Sequence, residues 1–258
     1  MSQITSTILR NIPRPTLQRV SHLILPVIGI KNRGKGVQCN VCGASYKKFI
    51  SYGRLNKHRS NALCPNCLSL ERHRLLWLYL QERTNFLKEP KRVLHIAPEY
   101  CFLNRFKTFR HLDYTTGDLV SPLADVHFDV TDIPFPDNKY DLVICNHVLE
   151  HVERDDLAMS EIFRILKPGG RAILQVPQDI NNPDTLEDPS IQSPSDRERY
   201  YHQSDHVRLY GLDYEDRLRE AGFNVKLDDI IEELSDNAKE FHALPEDEYI
   251  YSCIKEAA

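Results

Sequence analysis

The sequence predicts an α/β fold around a mostly parallel sheet, preceded by a small cysteine-rich module. Three observations lead there. From Arg92 onward, short apolar runs alternate with amphipathic segments. Before that stand two C-x2-C pairs. The charge also changes sign between these two parts. At 258 residues, 41% hydrophobic and 27% charged, the chain has room for one large domain plus a small module.

The charge split is the first sign of two units. No Asp or Glu precedes Glu71, while eleven Lys and Arg do, leaving 22 basic and 37 acidic residues after it. The N-terminal part is therefore near +11 and the remainder near -15. A basic unit attracts polyanions such as RNA, acidic glycans or anionic lipid, or docks on its own acidic domain. The longest apolar run, "LILPVIGI" at 23–30, contains Pro26 and is far short of the ~20 residues of a membrane span. With no signal-peptide layout, the chain is expected to be cytoplasmic, without a transmembrane segment. Residues 1–35 are read as a separate N-terminal segment; "TLQRVSHLIL" suits a packing helix, a docking segment or a membrane-surface contact.

Residues 36–90 are expected to form the module and a connecting helix. "CNVC" gives Cys39 and Cys42, and "CPNC" gives Cys64 and Cys67, with 21 residues between the pairs. Two such knuckles offer four thiolates to one ion, the signature of a structural zinc site with no open position. "YKKFISYGR" between them suits a hairpin that folds the pairs together. After Cys67, Leu68, Leu75, Leu76, Tyr79 and Leu80 make a helical stripe.

Residues 91–258 are expected to be the α/β domain. "RVLHIA" is a strand and "CFLNRFKTF" a helix. "LDYTTGDL", "ADVHFDV" and the strongly apolar "YDLVICNHV" are strands. "DDLAMSEIFRILKPGG" is a helix stopped by Pro168 and the glycine pair, "RAILQVP" a buried strand, "DYEDRLREAGF" a helix and "YIYSCIKE" a last strand. Cys101, Cys145 and Cys253 are expected to be buried apolar residues. In such sheets ligands bind at the carboxyl ends of the strands. Glu99, Asp118, Asp129 and Asn146 with His147 stand at those ends. An acid after the second strand suits a ribose diol, since a carboxylate accepts two hydroxyl hydrogen bonds.

"DVTDIPFPDNKYDLVICNHVLEHV", "EIFRILKPGG" and "AILQVP", in this order and spacing, resemble the core of the class I S-adenosylmethionine-dependent methyltransferases, more narrowly their small-molecule type 11 branch. The resemblance covers residues 91–177 strongly and 200–254 loosely. It implies a seven-stranded, mostly parallel, Rossmann-like methyltransferase sheet with the last strand antiparallel. It also implies S-adenosylmethionine as cofactor. "VLHIAPEYC" at 93–101 then takes the place of the family's glycine-rich loop. His95 replaces the usual acid, and Ala97, Glu99 and Cys101 replace glycines. The implied cofactor residues are His95, Ala97, Pro98 and Glu99, with Glu99 holding the ammonium. Asp118 takes the ribose, Asp129 the adenine amine, and Val130 offers its backbone N–H to the ring. Asn146 and His147 lie beside the sulfonium.

Residues 178–212 are read as a lid-like insertion over the acceptor. His206 is the expected general base, Asp205 its orienter, and Arg208 an anion anchor with Tyr210 and His202 beside it. His147 and His151 flank Glu150 at the spacing of a metal pair. The neighbouring sequence holds no third ligand, and "LEH" is read as a packed strand–helix junction. Neither an "NPPY"-like stretch nor a Pro-Cys nucleophile is present, which argues against adenine-amine and cytosine-C5 chemistry. Three functions remain open. One is methyl transfer to a small, anionic or glycan-type acceptor. Another is RNA methylation, with Tyr46, Phe49 and Tyr52 among the module's basic residues. The third is a non-catalytic binding protein.

Overall fold

The computed structural model describes residues 25, 27–53, 58–246 and 248–257. The chain divides into two compact units. One comprises the chain up to Leu78 together with Ile231–Glu248; the other comprises Tyr79–Ile230 and the chain from Tyr249 onward.

In the first unit, β1 (Arg33–Gln38) pairs antiparallel with β2 (Ser45–Tyr46), and β3 (Ile50–Tyr52) with β4 (Arg59–Leu63). The second pair is the hairpin expected between the cysteine pairs. Helix α1 (Glu71–Glu82) begins here. Arg74 of α1 is fully buried. Its guanidinium lies 4.4 Å from the Phe49 ring centroid and donates to Ala62 O, Ser69 O, His242 O and Ala243 O. His242 Nδ1 donates to Gln38 O at 2.9 Å. These bonds explain why Ile231–Glu248 packs with the cysteine module, although the sequence reading counted it with the α/β domain.

The second unit is built on a seven-stranded sheet in the order β10-β11-β9-β8-β5-β6-β7. Its strands are β5 (Lys91–Ile96), β6 (Leu112–Asp118), β7 (Val126–His127), β8 (Tyr140–Asn146), β9 (Leu166–Gln175), β10 (Asn224–Asp228) and β11 (Ile250–Ile254). Pairings from β7 through β9 are parallel, and β11 runs antiparallel between β9 and β10. This is the seven-stranded sheet with an antiparallel last strand that the resemblance implied. The centre is apolar: Val93, Leu94, Val143, Ile144, Ala172, Ile173 and Leu174 are fully buried, as are Cys145 and Cys253. Burial of each full-sized aliphatic side chain stabilises the fold by about 1.5–3 kcal/mol.

Helices α2 (Tyr100–Lys107) and α3 (Asp155–Ile165) follow β5 and β8. Helix α3 stops at Ile165, earlier than expected, and "LKPGG" opens β9. Pro168 disfavours helix at Lys167, and Leu166 is already extended at ψ 139°. "ADVHFDV" contributes only the two-residue β7. Strand β10 and a short helix at Asp236–His242 lack a strong period and were not expected. The insertion carries helix α4 (Pro194–Tyr200), with Ser193 capping Asp196 N, and α5 (Tyr214–Glu220) follows it.

Candidate functional site

The carboxyl ends of β5, β6 and β8 lie side by side, since β5 pairs with both others. At the end of β5 the chain turns through Ala97, which adopts φ +49°. This is the left-handed region where glycine is favoured. Ala97 N donates to Gly117 O at 2.8 Å, which ties the turn to β6. Gly117 lacks room for a side chain, because a Cβ there would meet the Phe128 ring at 2.2 Å. The loop thus takes a glycine-type turn without a glycine.

A buried polar chain supports this turn. His95 is fully buried on β5. Its Nδ1 accepts from the Tyr114 hydroxyl at 2.9 Å, and its Nε2 meets Glu99 Oε2 in a short hydrogen bond. That partnership assigns the proton to Nε2. Glu99 Oε1 accepts from Asn146 Nδ2 at 3.2 Å. Tyr114, His95, Glu99 and Asn146 therefore connect β6, β5 and β8 beneath the strand ends. Burial, aided by the Glu99 charge, raises the Tyr114 hydroxyl well above its usual range, so it remains a donor. Sequence reading named His95, Glu99 and Asn146 but missed Tyr114, which lies in the middle of β6.

The other acids sit in turns. Asp118 Oδ1 accepts from Val120 N and Ser121 N, at 2.8 and 2.7 Å. Asp129 Oδ1 accepts from Thr131 N and its hydroxyl, at 2.9 and 2.8 Å. Each carboxylate is thus held rigid through one oxygen at its strand end. Val130 is buried. His147 follows β8 at φ +55°, with its N–H on Gln175 O and its Nδ1 3.4 Å from Glu150 Oε1.

The insertion residues do different work from that expected. Arg208 is buried and donates to Leu149 O, Val152 O, Glu153 O and Glu187 Oε1. It pins the insertion to the turn after β8, rather than standing open to an anion. Tyr210 is buried and donates to Asp155 Oδ2 at 2.8 Å. His202 lies exposed at φ +70°. His206 is buried, with its Nδ1 on Tyr201 O at 3.1 Å. Tyr201, rather than Asp205, orients this ring. The Asp205 carbonyl instead accepts from His151 Nδ1 at 3.0 Å. Burial lowers the His206 pKa, which favours its neutral form.

In the first unit, Cys39, Cys42, Cys64 and Cys67 bring their sulfurs within 4.8 Å of one another. Cys39 and Cys67 Sγ are 3.6 Å apart, and Cys42 and Cys64 Sγ 3.8 Å, with no disulfide. A tetrahedral ion with metal–sulfur bonds of about 2.3 Å has edges of about 3.8 Å, so the set fits zinc. Two matching knuckles build it. In each, the first cysteine's N–H reaches a carbonyl five residues on, Ala44 or Ser69. Its carbonyl accepts from a residue four on, Gly43 or Leu68. Those residues adopt φ +75° and +62°. Hydrogen bonds from Cys39 and Cys64 push the Cys42 thiol down, and the neighbouring thiols push Cys67 up. Arg72 and His73 flank the buried Arg74, and His73 Nδ1 accepts from Leu70 N.

Residues 105–174 match a family model described as a methyltransferase domain. A ubiquinone/menaquinone biosynthesis C-methyltransferase UbiE of Psychromonas ingrahamii is 36% identical over 56 residues, 22% of each chain. A demethylmenaquinone methyltransferase of Streptomyces avermitilis is 41% identical over 46 residues, 18% of this chain and 20% of that one. The alignments thus span about a fifth of these relatives' length. Among solved structures, a chain of a Haloferax volcanii complex that contains the Trm112 methyltransferase activator aligns at 18% identity and TM-score 0.43. It covers 65% of this chain and 84% of that one. A Haemonchus contortus phosphoethanolamine N-methyltransferase 2 aligns at 18% identity and TM-score 0.45, covering 69% and 52%.

Proposed function

We propose that the protein is an S-adenosylmethionine-dependent methyltransferase acting on a small molecule or glycan precursor, with a structural zinc ion in its cysteine module. The observation that carries this reading is the left-handed turn at Ala97. Ala97 supplies, without glycine, the left-handed conformation that a glycine-type loop uses, two residues before Glu99 of the His95–Glu99–Asn146 chain. The family match over residues 105–174 supports the same reading.

In this account Ala97 and Pro98 line the cofactor's methionine part, and Glu99 holds its ammonium. His95 keeps Glu99 oriented, with its far side fixed by Tyr114. Asp118 offers its second oxygen to the ribose. Asp129 and Val130 flank the adenine, and Asn146 and His147 stand beside the sulfonium. The bound cofactor supplies an electrophilic methyl group. The chain contributes alignment and water exclusion, which an in-line displacement needs. The four cysteines would hold zinc as thiolates and close the module.

A second reading, RNA as acceptor, draws on Arg33, Lys35, Lys47 and Lys48 along β1, β2 and the residues after it. It requires RNA binding whose logarithm falls steeply with the logarithm of salt. An absence of RNA binding at low salt would exclude it. The primary reading is tested by radiolabelled methyl transfer to fractionated small-molecule and RNA pools. Label must enter the small-molecule pool and vanish with Glu99→Ala.

A further inference from the structure

The pair His147 and His151, with Glu150 between them, has no third ligand nearby in sequence. The fold brings one from the insertion. One ring nitrogen each from His151 and His206, and one carboxylate oxygen from Glu150, lie within 4.8 Å of one another. The two rings meet edge to face with centroids 4.8 Å apart. Val207 N donates to Glu150 O at 2.9 Å, fixing the insertion against the turn.

The protonation pattern points the same way. His206 Nδ1 is hydrogen-bonded to Tyr201 O, and His151 Nδ1 to Asp205 O. A carbonyl only accepts, so both rings carry a proton on Nδ1, and Nε2 is the nitrogen that faces a cation in the neutral ring. Backbone carbonyls that fix a histidine in this tautomer are the usual outer partners of metal-bound imidazoles. Glu150 and His206 are only 1% and 2% exposed. Glu150 Oε2 and His206 Nε2 are buried without a hydrogen-bond partner. Among the described residues, no protein group satisfies these two buried atoms. A buried polar atom without a partner destabilises the fold. A cation satisfies them together.

We propose that Glu150, His151 and His206 form a second metal centre, distinct from the cysteine site, that binds one divalent cation of the manganese, iron or zinc class. Imidazole and carboxylate together suit these ions, whereas an all-thiolate set selects zinc. Three protein ligands leave coordination positions open to water or to an oxygen of a bound ligand. In this role His206 is a metal ligand rather than a free base. His147, 3.4 Å from Glu150 Oε1, borders the site. The binding of the ion stands apart from the methyl-transfer reading.

The test is Mn2+ titration of the full-length, zinc-loaded protein, followed by electron paramagnetic resonance and calorimetry. The expected result is one Mn2+ per chain, with affinity reduced at least about 10-fold in Glu150→Gln, His206→Ala and His151→Ala. The His151 side chain is 35% exposed, so His151→Ala is expected to keep the fold, checked by circular dichroism. No bound equivalent of Mn2+, Fe2+, Co2+ or Zn2+ beyond the cysteine site would overturn the proposal. So would a bound equivalent that the well-folded His151→Ala variant retains at unchanged affinity.

Discussion

At the scale of single residues, Ala97 is the informative position. A left-handed alanine costs about 1–2 kcal/mol, while glycine costs folding entropy of about 0.4–1 kcal/mol. Ala97→Gly should therefore leave stability unchanged or raise it by up to ~1.6 kcal/mol, with cofactor affinity kept. Thermal unfolding checks this, and a clear destabilisation would mean that the turn does not hold its left-handed shape. Sequence reading found this loop because a strand ending in Ala-Pro-Glu occupies a recognisable place. It paired His206 with Asp205 because they are neighbours in the chain. The actual orienter, the Tyr201 carbonyl, is a backbone atom and leaves no trace in residue identity. The third member of the His151–Glu150 cluster was equally hidden, since only the tertiary fold brings His206 to it.

At the scale of elements, the insertion is held by charge. Glu187 lies between Arg208 and Arg217, at 2.6 and 3.0 Å. Burial alone would raise its pKa, but the Arg208 hydrogen bond and both positive charges bring it below the usual value. A depressed carboxylate stabilises the folded state above its unfolded pKa and loses that contribution as pH falls through its folded value. Proteolysis within residues 178–212 should therefore accelerate at pH 4 and below, but not between pH 6 and 8. Equal cleavage rates across this range would contradict the charge clamp. Arg208→Ala removes a donor from three carbonyls and from Glu187, which keeps Arg217, and should destabilise by about 2–3 kcal/mol, read from denaturant unfolding. The parallel strands β5, β8 and β9 were legible because they are continuous apolar runs. Strand β10, with three of its five residues exposed and no alternation, and the helix at Asp236–His242 carry weak patterns.

At the scale of the molecule, two units rely on different sources of stability. The Tyr79–Ile230 unit has a layered apolar core. The first unit is small and contains the cysteine tetrad. On the proposal that the tetrad holds zinc, a strong chelator should unfold the cysteine module while the sheet keeps its cooperative transition, followed by hydrogen exchange. Loss of both together, or of neither, would contradict that division. The two-unit character was visible in the charge split. The return of Ile231–Glu248 to the first unit was not, because it depends on the buried Arg74 meeting the carbonyls of His242 and Ala243.

The central claim is that a loop without glycines still forms a cofactor site. Calorimetric titration of the zinc-loaded protein with S-adenosylmethionine and its demethylated product tests it, with Glu99→Ala and Asp118→Ala alongside. The account predicts micromolar binding, weakened on the order of 30-fold by the loss of Glu99 and about 10-fold by the loss of Asp118. A well-folded protein that binds neither ligand, or binds them equally in both variants, would contradict it.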